Sequence, residues 1–538
     1  MGNSCEKKWG DFWTDELARR CGAVNVRPTS GTEQEDGCLV TGLTYDSRQV
    51  QEGVVYFALT GLHADGHAFI QDAVGRGAKV IVYEKALSAY QDNVLYVQVK
   101  DSRFAMSPLA DAFYGQPSRR LTVVGVTGTE GKTSTVSFIF QLLSALGKKA
   151  GFISTVQYSV DGEVHENPEH QTTPEATVIH RQLAEMLDNG LSFAIIESSS
   201  HGLSSRTNRL GDVRFDVGVM TNVTHEHLEF HGDWETYRND KANLFRAAEK
   251  FCVVNADDPS AAYFTAATRV PVLSFSASGG NAGLSIRDIE PTDTGNRYVM
   301  CRQMHEQIET RVEDNLPGAF NAGNVAAALL TVAELLNVPP ETLVPYVQQL
   351  KPVRGRMTAV DRGQDFEVLV DYAHTPSSFE TIFPPLRARL DSGSGEGCND
   401  GKRNGGKHND RHRIIAVFGS AGDRDWQKRP RQGRIASKWS DIIILTDEDP
   451  RGEVPIDILN EIASGFEPYN AWIKGKNLFF IPNRPKAIAK AVSLAGKGDV
   501  VLLLGKGHEN SIIYGDHVDA YDEIECVKKA LCRLPWRR

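Results

Sequence analysis

The stretch GVTGTEGKTST, Gly125 to Thr135, gathers three glycines, a lysine and four threonines of a kind that grips phosphate. Glycines let a backbone turn tightly and aim its N–H groups at phosphate oxygens where a helix begins. Gly125, Gly128 and Gly131 read as those turn-forming positions and Lys132 as the charge for the outer phosphates. Thr133 reads as a hydroxyl ligand for Mg²⁺, and Thr129, Glu130 and Ser134 complete the loop. Five residues separate Gly125 from Gly131, where the usual phosphate loop has about four. Two further groups suit a divalent cation: Glu197, at the end of the expected buried strand in AIIESSSHG, and His227 in TNVTHEHLEFHG. Taken singly, His227 reads more readily as a hydrogen-bonded structural histidine, and Lys241 in YRNDKANLF as a solvated helix lysine.

These residues must be held by an α/β scaffold, because short β-rich apolar runs alternate with helical patterns almost throughout. Residues 54–59, 78–84 and 95–99 are the first strand candidates, and 121–126 leads directly into the glycine loop. A helix follows, with Val136, Ile139, Phe140, Leu143 and Leu146 on one face and a stop at Gly147. Further strands are expected at 193–196, 215–220 and 251–255, then at 367–370, 414–418, 441–445, 478–482 and 499–504. Six of these runs end in polar clusters: IIESSSHG, VMTNVTHEH, LVDYAHTP, VFGSAGDRD, ILTDEDPR and LLGKGHE. Ligands bind beyond the carboxyl ends of parallel strands, so two domains facing a shared cleft are expected. Residues 391–411 have no apolar periodicity and read as a mobile surface insertion.

At 538 residues the chain is long enough for two to four domains. Its net charge of −10 argues against nonspecific binding to nucleic acid or an anionic membrane, so a phosphate ligand needs cations concentrated locally. The eight cysteines show no C-x-x-C pair and read as free thiols of a reducing compartment. No apolar run approaches the roughly 20 residues of a membrane span. Glu6 also stands where a myristoylation signal needs Ser or Thr, so a cytoplasmic protein is expected.

In order along the chain stand GVTGTEGKTST, ESSSHGL, TNVTHEHLEFHG, YxxxKxxLF, LPGAFNAGNVAAA, GRM, DYAHTP and GSAGDRDWQKRP. Together they resemble the Mur ligases of bacterial cell-wall synthesis, over about Leu43 to Glu509. The resemblance implies three α/β domains: a uridine-binding domain at 1–117, a central P-loop ATPase-like domain with a mostly parallel sheet at 118–350, and a Rossmann-like domain at 351–538. It also implies ATP-dependent ligation through an acyl phosphate by a monomer. Lys241 would be carbamylated by CO₂ and join Thr133, Glu197 and His227 at Mg²⁺, with Lys132, Glu197, His227 and Lys241 as the catalytic set. Asn222 would lie near the phosphates and Asn321 or Asn324 near the adenine, while Arg356 and Asp371 reach the nucleotide from the third domain.

LTYDSR, GLHADG, TTP and SSHGL are most similar to the branch that adds the third peptide residue. Its substrates are UDP-N-acetylmuramoyl-L-alanyl-D-glutamate and a diamino acid. This implies that Ser47, Thr172, Thr173 and Ser199 hold the nucleotide-sugar peptide, together with Arg209 or, alternatively, Arg206. Arg424, Asp449, Arg451, Gly505 and Glu509 match residues that hold the amino acid. In LTDEDPRGE, Glu448 and Asp449 replace the Asp and Asn typical of the diaminopimelate-adding branch, which favours lysine or ornithine over meso-diaminopimelate. Glu130, Glu226 and Thr358 are further departures from the family pattern. The sequence leaves open another amide ligase of the superfamily, such as a folylpolyglutamate synthase, and more remotely a P-loop regulatory ATPase.

Overall fold

The computed structural model describes residues 6–27, 37–61, 64–168, 171–224, 228–292, 294–303, 307–393 and 411–533. They divide into two compact units, one of residues 1–275 with 327–337 and one of 276–326 with 338–538. Among the described residues no single helix is long and apolar enough to cross a membrane. Cys21, Cys38, Cys252, Cys301, Cys526 and Cys532 are free thiols. Most of the expected insertion, 394–410, lies outside the described residues, and the helix Pro376–Gly393 carries through its first positions.

Beside a short pairing of Lys7–Lys8 with Leu39–Val40, the described residues of the first unit build two larger sheets. In the smaller, Gly42–Thr44, Val54–Phe57, Val80–Tyr83 and Leu95–Val99 run parallel, and Ala23–Arg27 pairs antiparallel at one edge. Both faces are covered, as parallel sheets require. Val55, Phe57, Val80 and Val82 pack with Trp9, Leu109 and Phe113, while Tyr56, Ile81, Tyr83 and Tyr96 pack on the other side. The larger sheet orders six parallel strands as Ala150–Ile153, Phe193–Glu197, Thr122–Thr127, Phe215–Met220, Ala248–Asn255 and Val272–Ser276. From Thr122–Thr127 the chain first builds to one side and then to the other. That strand therefore sits at the switch point where α/β sheets open a crevice.

The second unit holds an antiparallel meander, Leu284–Pro291, Asn296–Arg302 and Ile308–Asp314, which the strand reading of the sequence did not include. It also holds a six-stranded sheet ordered Thr358–Ala359, Glu367–Asp371, Val500–Leu504, Ile414–Phe418, Ile442–Leu445 and Leu478–Phe480. The last five strands are parallel, and their apolar residues fill a core on each face. A wholly buried guanidinium braces the strand ends. Arg484, which opens the helix Arg484–Leu494, donates to Asp447 O at 3.1 Å and Leu504 O at 2.8 Å. It also pairs with the buried Glu523 carboxylate at 2.6 Å. Removing one partner of such a pair leaves an uncompensated interior charge. Glu523→Ala is therefore expected to cost about 3–5 kcal/mol. Arg484→Met with Glu523→Leu should lose clearly less. Urea denaturation of the two variants checks this, and equal losses would contradict it.

Candidate active site

At the carboxyl end of Thr122–Thr127 the chain turns through Gly128, with φ 152°, and Gly131, with φ 79°, into the helix Lys132–Ala145. A side chain at Gly128 would strike the Thr221 hydroxyl at 1.9 Å, so the loop lies tightly against the end of the neighbouring strand. Gly125 differs from its expected turn-forming role. It lies inside the strand, and its missing side chain makes room for Leu244 and Phe215 to pack.

The loop is fastened from several sides. Asn222 accepts from the Glu130 N–H at 2.9 Å and donates to the Glu130 carbonyl at 3.2 Å. The Thr129 hydroxyl meets Tyr237 Oη at 2.9 Å and accepts from Thr224 N–H at 2.8 Å. Lys132 folds its ammonium onto Thr129 O at 2.8 Å, and Ser134 is buried in the first helical turn. Lys241 is not the solvated helix lysine that its local sequence suggested. It is buried, with Nζ donating to Gly128 O at 2.6 Å and lying 4.6 Å from the Tyr237 ring centre.

Glu197, 1% exposed, joins this loop to its surroundings. Its two carboxylate oxygens each lie 3.0 Å from the Thr133 hydroxyl, and one accepts from Thr155 N–H at 2.8 Å. Its carbonyl accepts the Thr173 hydroxyl at 2.8 Å, and that hydroxyl in turn accepts from Ser199 N–H at 3.0 Å. Ser199 caps the short helix Ser200–Leu203 through Gly202 N–H. Arg209 donates to Thr173 O at 2.8 Å and pairs with Glu175 at 2.9 Å, whereas Arg206 points to Phe230 O at 2.7 Å. The structure thus brings Thr173, Ser199 and Arg209 together, with the half-buried Thr172 adjacent in the chain. Ser47 is buried in the smaller sheet's domain, behind the Asp46 cap of a single turn.

His227 and Glu226 lie outside the described residues. His231, from the same motif, was not singled out from sequence. It is buried, and bridges Asp240 at 2.9 Å and Ser200 at 3.0 Å, tying three helices together. Its signal was present in HLEFHG, but its partners come from distant segments.

In the second unit, Asn321 donates to Pro317 O at 2.8 Å and Asn324 to Asn321 at 3.1 Å, in the first turns of Phe320–Leu336. Asp371 accepts from Met357 N–H and Ala373 N–H, both at 2.7 Å. Burial raises its pKa, and the Arg356 cation opposes that rise. Arg356 stacks 4.7 Å from the Tyr372 ring centre. Burial, with the Arg356 and Lys506 cations, pushes His508 down to about 3, so its imidazole is neutral at physiological pH. Around the expected amino-acid residues, Arg451 adopts φ 53°, Gly505 adopts φ 104°, and Arg424 is exposed on its loop. Lys506 was missed from sequence. It is wholly buried, between Asp449 Oδ1 at 2.8 Å and Glu509 Oε2 at 2.5 Å.

A glycine loop at a sheet switch point, with a lysine, a hydroxyl and a buried carboxylate beside it, defines a P-loop nucleotide enzyme. Family models agree in detail. Residues 39–114 match the Mur ligase family catalytic domain, 126–332 the Mur ligase middle domain, and 403–507 the Mur ligase glutamate ligase domain. The chain is 47% identical over 546 residues to the UDP-N-acetylmuramyl-tripeptide synthetase of Treponema denticola, covering 96% of this chain and 98% of that one. It is 38% identical to the UDP-N-acetylmuramoyl-L-alanyl-D-glutamate--2,6-diaminopimelate ligase of Geobacillus kaustophilus, covering 91% and 95%. A solved structure of a ligase of the latter name superposes with TM-score 0.58 at 26% identity, covering 94% of this chain and 97% of that one. The chain belongs to the Mur ligase family. It is an ATP-dependent ligase built from three α/β domains, as the sequence led us to expect.

Lys132→Ala removes the loop's cation from the nucleotide phosphates. Nucleotide affinity, read by titration calorimetry, is expected to fall by at least about tenfold, the scale of one charge-assisted contact; unchanged affinity would contradict the assignment.

Proposed function

We propose that the chain joins a diamino acid to UDP-N-acetylmuramoyl-L-alanyl-D-glutamate, adding the third peptide residue at the cost of one ATP. A carboxylate is a poor electrophile because its leaving group would be oxide. Attack of that carboxylate on the γ-phosphorus releases ADP and gives an acyl phosphate. The incoming amine then attacks the carbonyl, phosphate departs and the amine loses a proton. The observation that carries this reading is Glu197, whose carboxylate holds the phosphate loop at Thr133 while its carbonyl holds Thr173, next to Ser199 and Arg209.

In this reading Ser47, Thr172, Thr173, Ser199 and Arg209 bind the nucleotide-sugar peptide. Arg209 is preferred to Arg206 because its guanidinium is built against Thr173. ATP takes the loop residues Gly128 to Ser134 with Asn222, and Asn321, Asn324, Arg356 and Asp371 complete its site. The domains are taken as 1–117, 118–350 and 351–538. Thr133 and Glu197 are an oxygen donor set that suits Mg²⁺, and among the described residues no cation pairs with the buried Glu197 carboxylate. Thr133, Glu197, His227 and Lys241 would hold the ion. It supplies charge neutralisation to the phosphates. Lys241 would join them as a carbamate, which turns a buried cation beside Gly128 into an anion.

Arg424, Asp449, Arg451, Gly505 and Glu509 receive the amino acid, a guanidinium being suited to its carboxylate. A basic diamino acid, lysine or ornithine, is favoured over meso-diaminopimelate by the acids at 448 and 449. We take the enzyme to be a cytoplasmic monomer that uses neither nucleic acid nor membrane.

The test is ADP release from the purified chain with ATP, magnesium, bicarbonate, the muramoyl dipeptide and each amine in turn. Amine-dependent ADP release with a new amide is expected; release with a folate instead would place the chain with the folylpolyglutamate synthases. Lys241→Ala should be nearly inactive, should regain partial activity with short carboxylic acids, and should lose the carbamate resonance that labelled bicarbonate gives the parent. Full activity without added acid would refute the carbamate.

A further inference from the structure

Resting on that reading, Arg209 is the cation that receives the muramoyl dipeptide, and the first unit holds the groups that aim it. Its guanidinium is fastened on two sides: Nη1 donates to Thr173 O at 2.8 Å and Nη2 to Glu175 Oε1 at 2.9 Å. Its Nε is buried without an acceptor among the described residues. A guanidinium carries its donors in one rigid plane, so fixing two of its nitrogens decides where the remaining N–H groups point. Among the described residues Glu175 is the one side chain that bonds it.

Glu175 does not serve its own helix. It is 3% exposed and stands immediately before the helix Ala176–Asp188, yet its carboxylate takes no capping bond there. Good capping residues have short side chains, Ser, Thr, Asp or Asn, that reach back to the helix N–H groups. Glu175 instead accepts through Oε1 from two guanidinia, those of Arg209 and Arg103, while Oε2 is buried without a partner among the described residues. A carboxylate so deeply buried is costly unless it is paired, and these two arginines pair it. Arg103 belongs to the first turn of the helix Ser102–Phe113, within the domain taken as 1–117. The segment that carries Arg209 is tied along that same helix on either side of the arginine. Asn208 Nδ2 donates to Phe104 O at 3.0 Å, and Asp212 N–H donates to Ser107 Oγ at 3.2 Å.

We infer that Glu175 is the positioning residue of Arg209 and that Arg103 anchors it, so that the N-terminal domain which holds the nucleotide sugar also aims the cation that receives the dipeptide. Neither Glu175 nor Arg103 touches substrate in this arrangement; both act through Arg209. The buried Oε1 is the shared point: Arg103 pulls it toward the helix Ser102–Phe113, and Arg209 follows it.

The experiment is steady-state ligation by the full chain for the parent, Glu175→Gln, Arg103→Met, Arg209→Met and the double variant of Glu175→Gln with Arg209→Met. Glu175→Gln keeps the side chain's shape and removes its charge. It should raise KM for the muramoyl dipeptide about tenfold, the difference between a charge-assisted and a neutral hydrogen bond. KM for ATP and for the amine should stay within about twofold, since neither meets Arg209. Arg103→Met should raise the dipeptide KM about threefold, the scale of a partly exposed ion pair. In the double variant, Glu175→Gln should add less than about twofold to the effect of Arg209→Met, because a residue that acts through Arg209 then has nothing to position. A merely structural role predicts the reverse: effects that add in full, every KM moved and a lowered thermal midpoint. The side chain of Arg103 is 29% exposed, so its variant carries the test even where Glu175→Gln unfolds the chain. An unmoved dipeptide KM in Glu175→Gln or in Arg103→Met, or additive effects in the double variant, overturns the inference. An unmoved dipeptide KM in Arg209→Met, or a parent chain that ligates no amine, overturns instead the reading on which it rests.

Discussion

A buried carboxylate at the end of one strand holds the first unit's chemistry together. Taking Glu197 out of water costs several kcal/mol unless its oxygens are satisfied. The fold satisfies them with groups that must themselves be ordered: the Thr133 hydroxyl from the phosphate loop and the Thr155 N–H from the neighbouring strand's exit. The same residue's carbonyl fixes Thr173, and through it Ser199. Disturbing the Thr133 or Thr155 segment costs the carboxylate a partner, and disturbing Thr173 costs the carbonyl its partner, so the phosphate grip and the Thr173–Ser199–Arg209 group are both positioned by Glu197. The donors found there are neutral, which leaves the net charge of Glu197 for a cation to neutralise.

The second unit solves a related problem with the opposite charge. Arg484 is sealed in the core and bonds the carbonyls of Asp447 and Leu504, at the exits of two different strands. Those exits carry Glu448 to Arg451 on one side and Gly505 to Glu509 on the other. Lys506 then links the two loops through Asp449 and Glu509. A chain of net charge −10 concentrates acids here beside two buried cations: Asp449 and Glu509 meet Lys506, and the charge of Glu448 acts on Arg484.

Much of this was readable in the sequence, for a physical reason. Strands covered on both faces are continuous apolar runs, and Phe215–Met220 and Ile414–Phe418 coincide with the runs seen in the sequence. The glycine loop was legible because its chemistry is local. The meander was not, since in Leu284–Pro291 only Leu284 and Ile286 are buried, and the exposed Arg287, Asp288 and Glu290 break the apolar run. Gly125 was misassigned because its neighbours in sequence belong to the loop while its neighbours in space, Leu244 and Phe215, do not. Lys241 read locally as a solvated helix lysine and Lys506 was not singled out; Lys241 bonds Gly128 O and Lys506 pairs with Asp449, contacts that no local pattern encodes. Motif order along the chain supplied what single residues could not.

The account rests on activation of a carboxylate by phosphoryl transfer, and the path of an oxygen atom tests this most directly. If the muramoyl dipeptide carries heavy oxygen in its carboxylates and is ligated by the purified chain, the released inorganic phosphate should contain one heavy oxygen, inherited when the acyl phosphate breaks. Phosphate free of the label, formed alongside the new amide bond, would contradict the account.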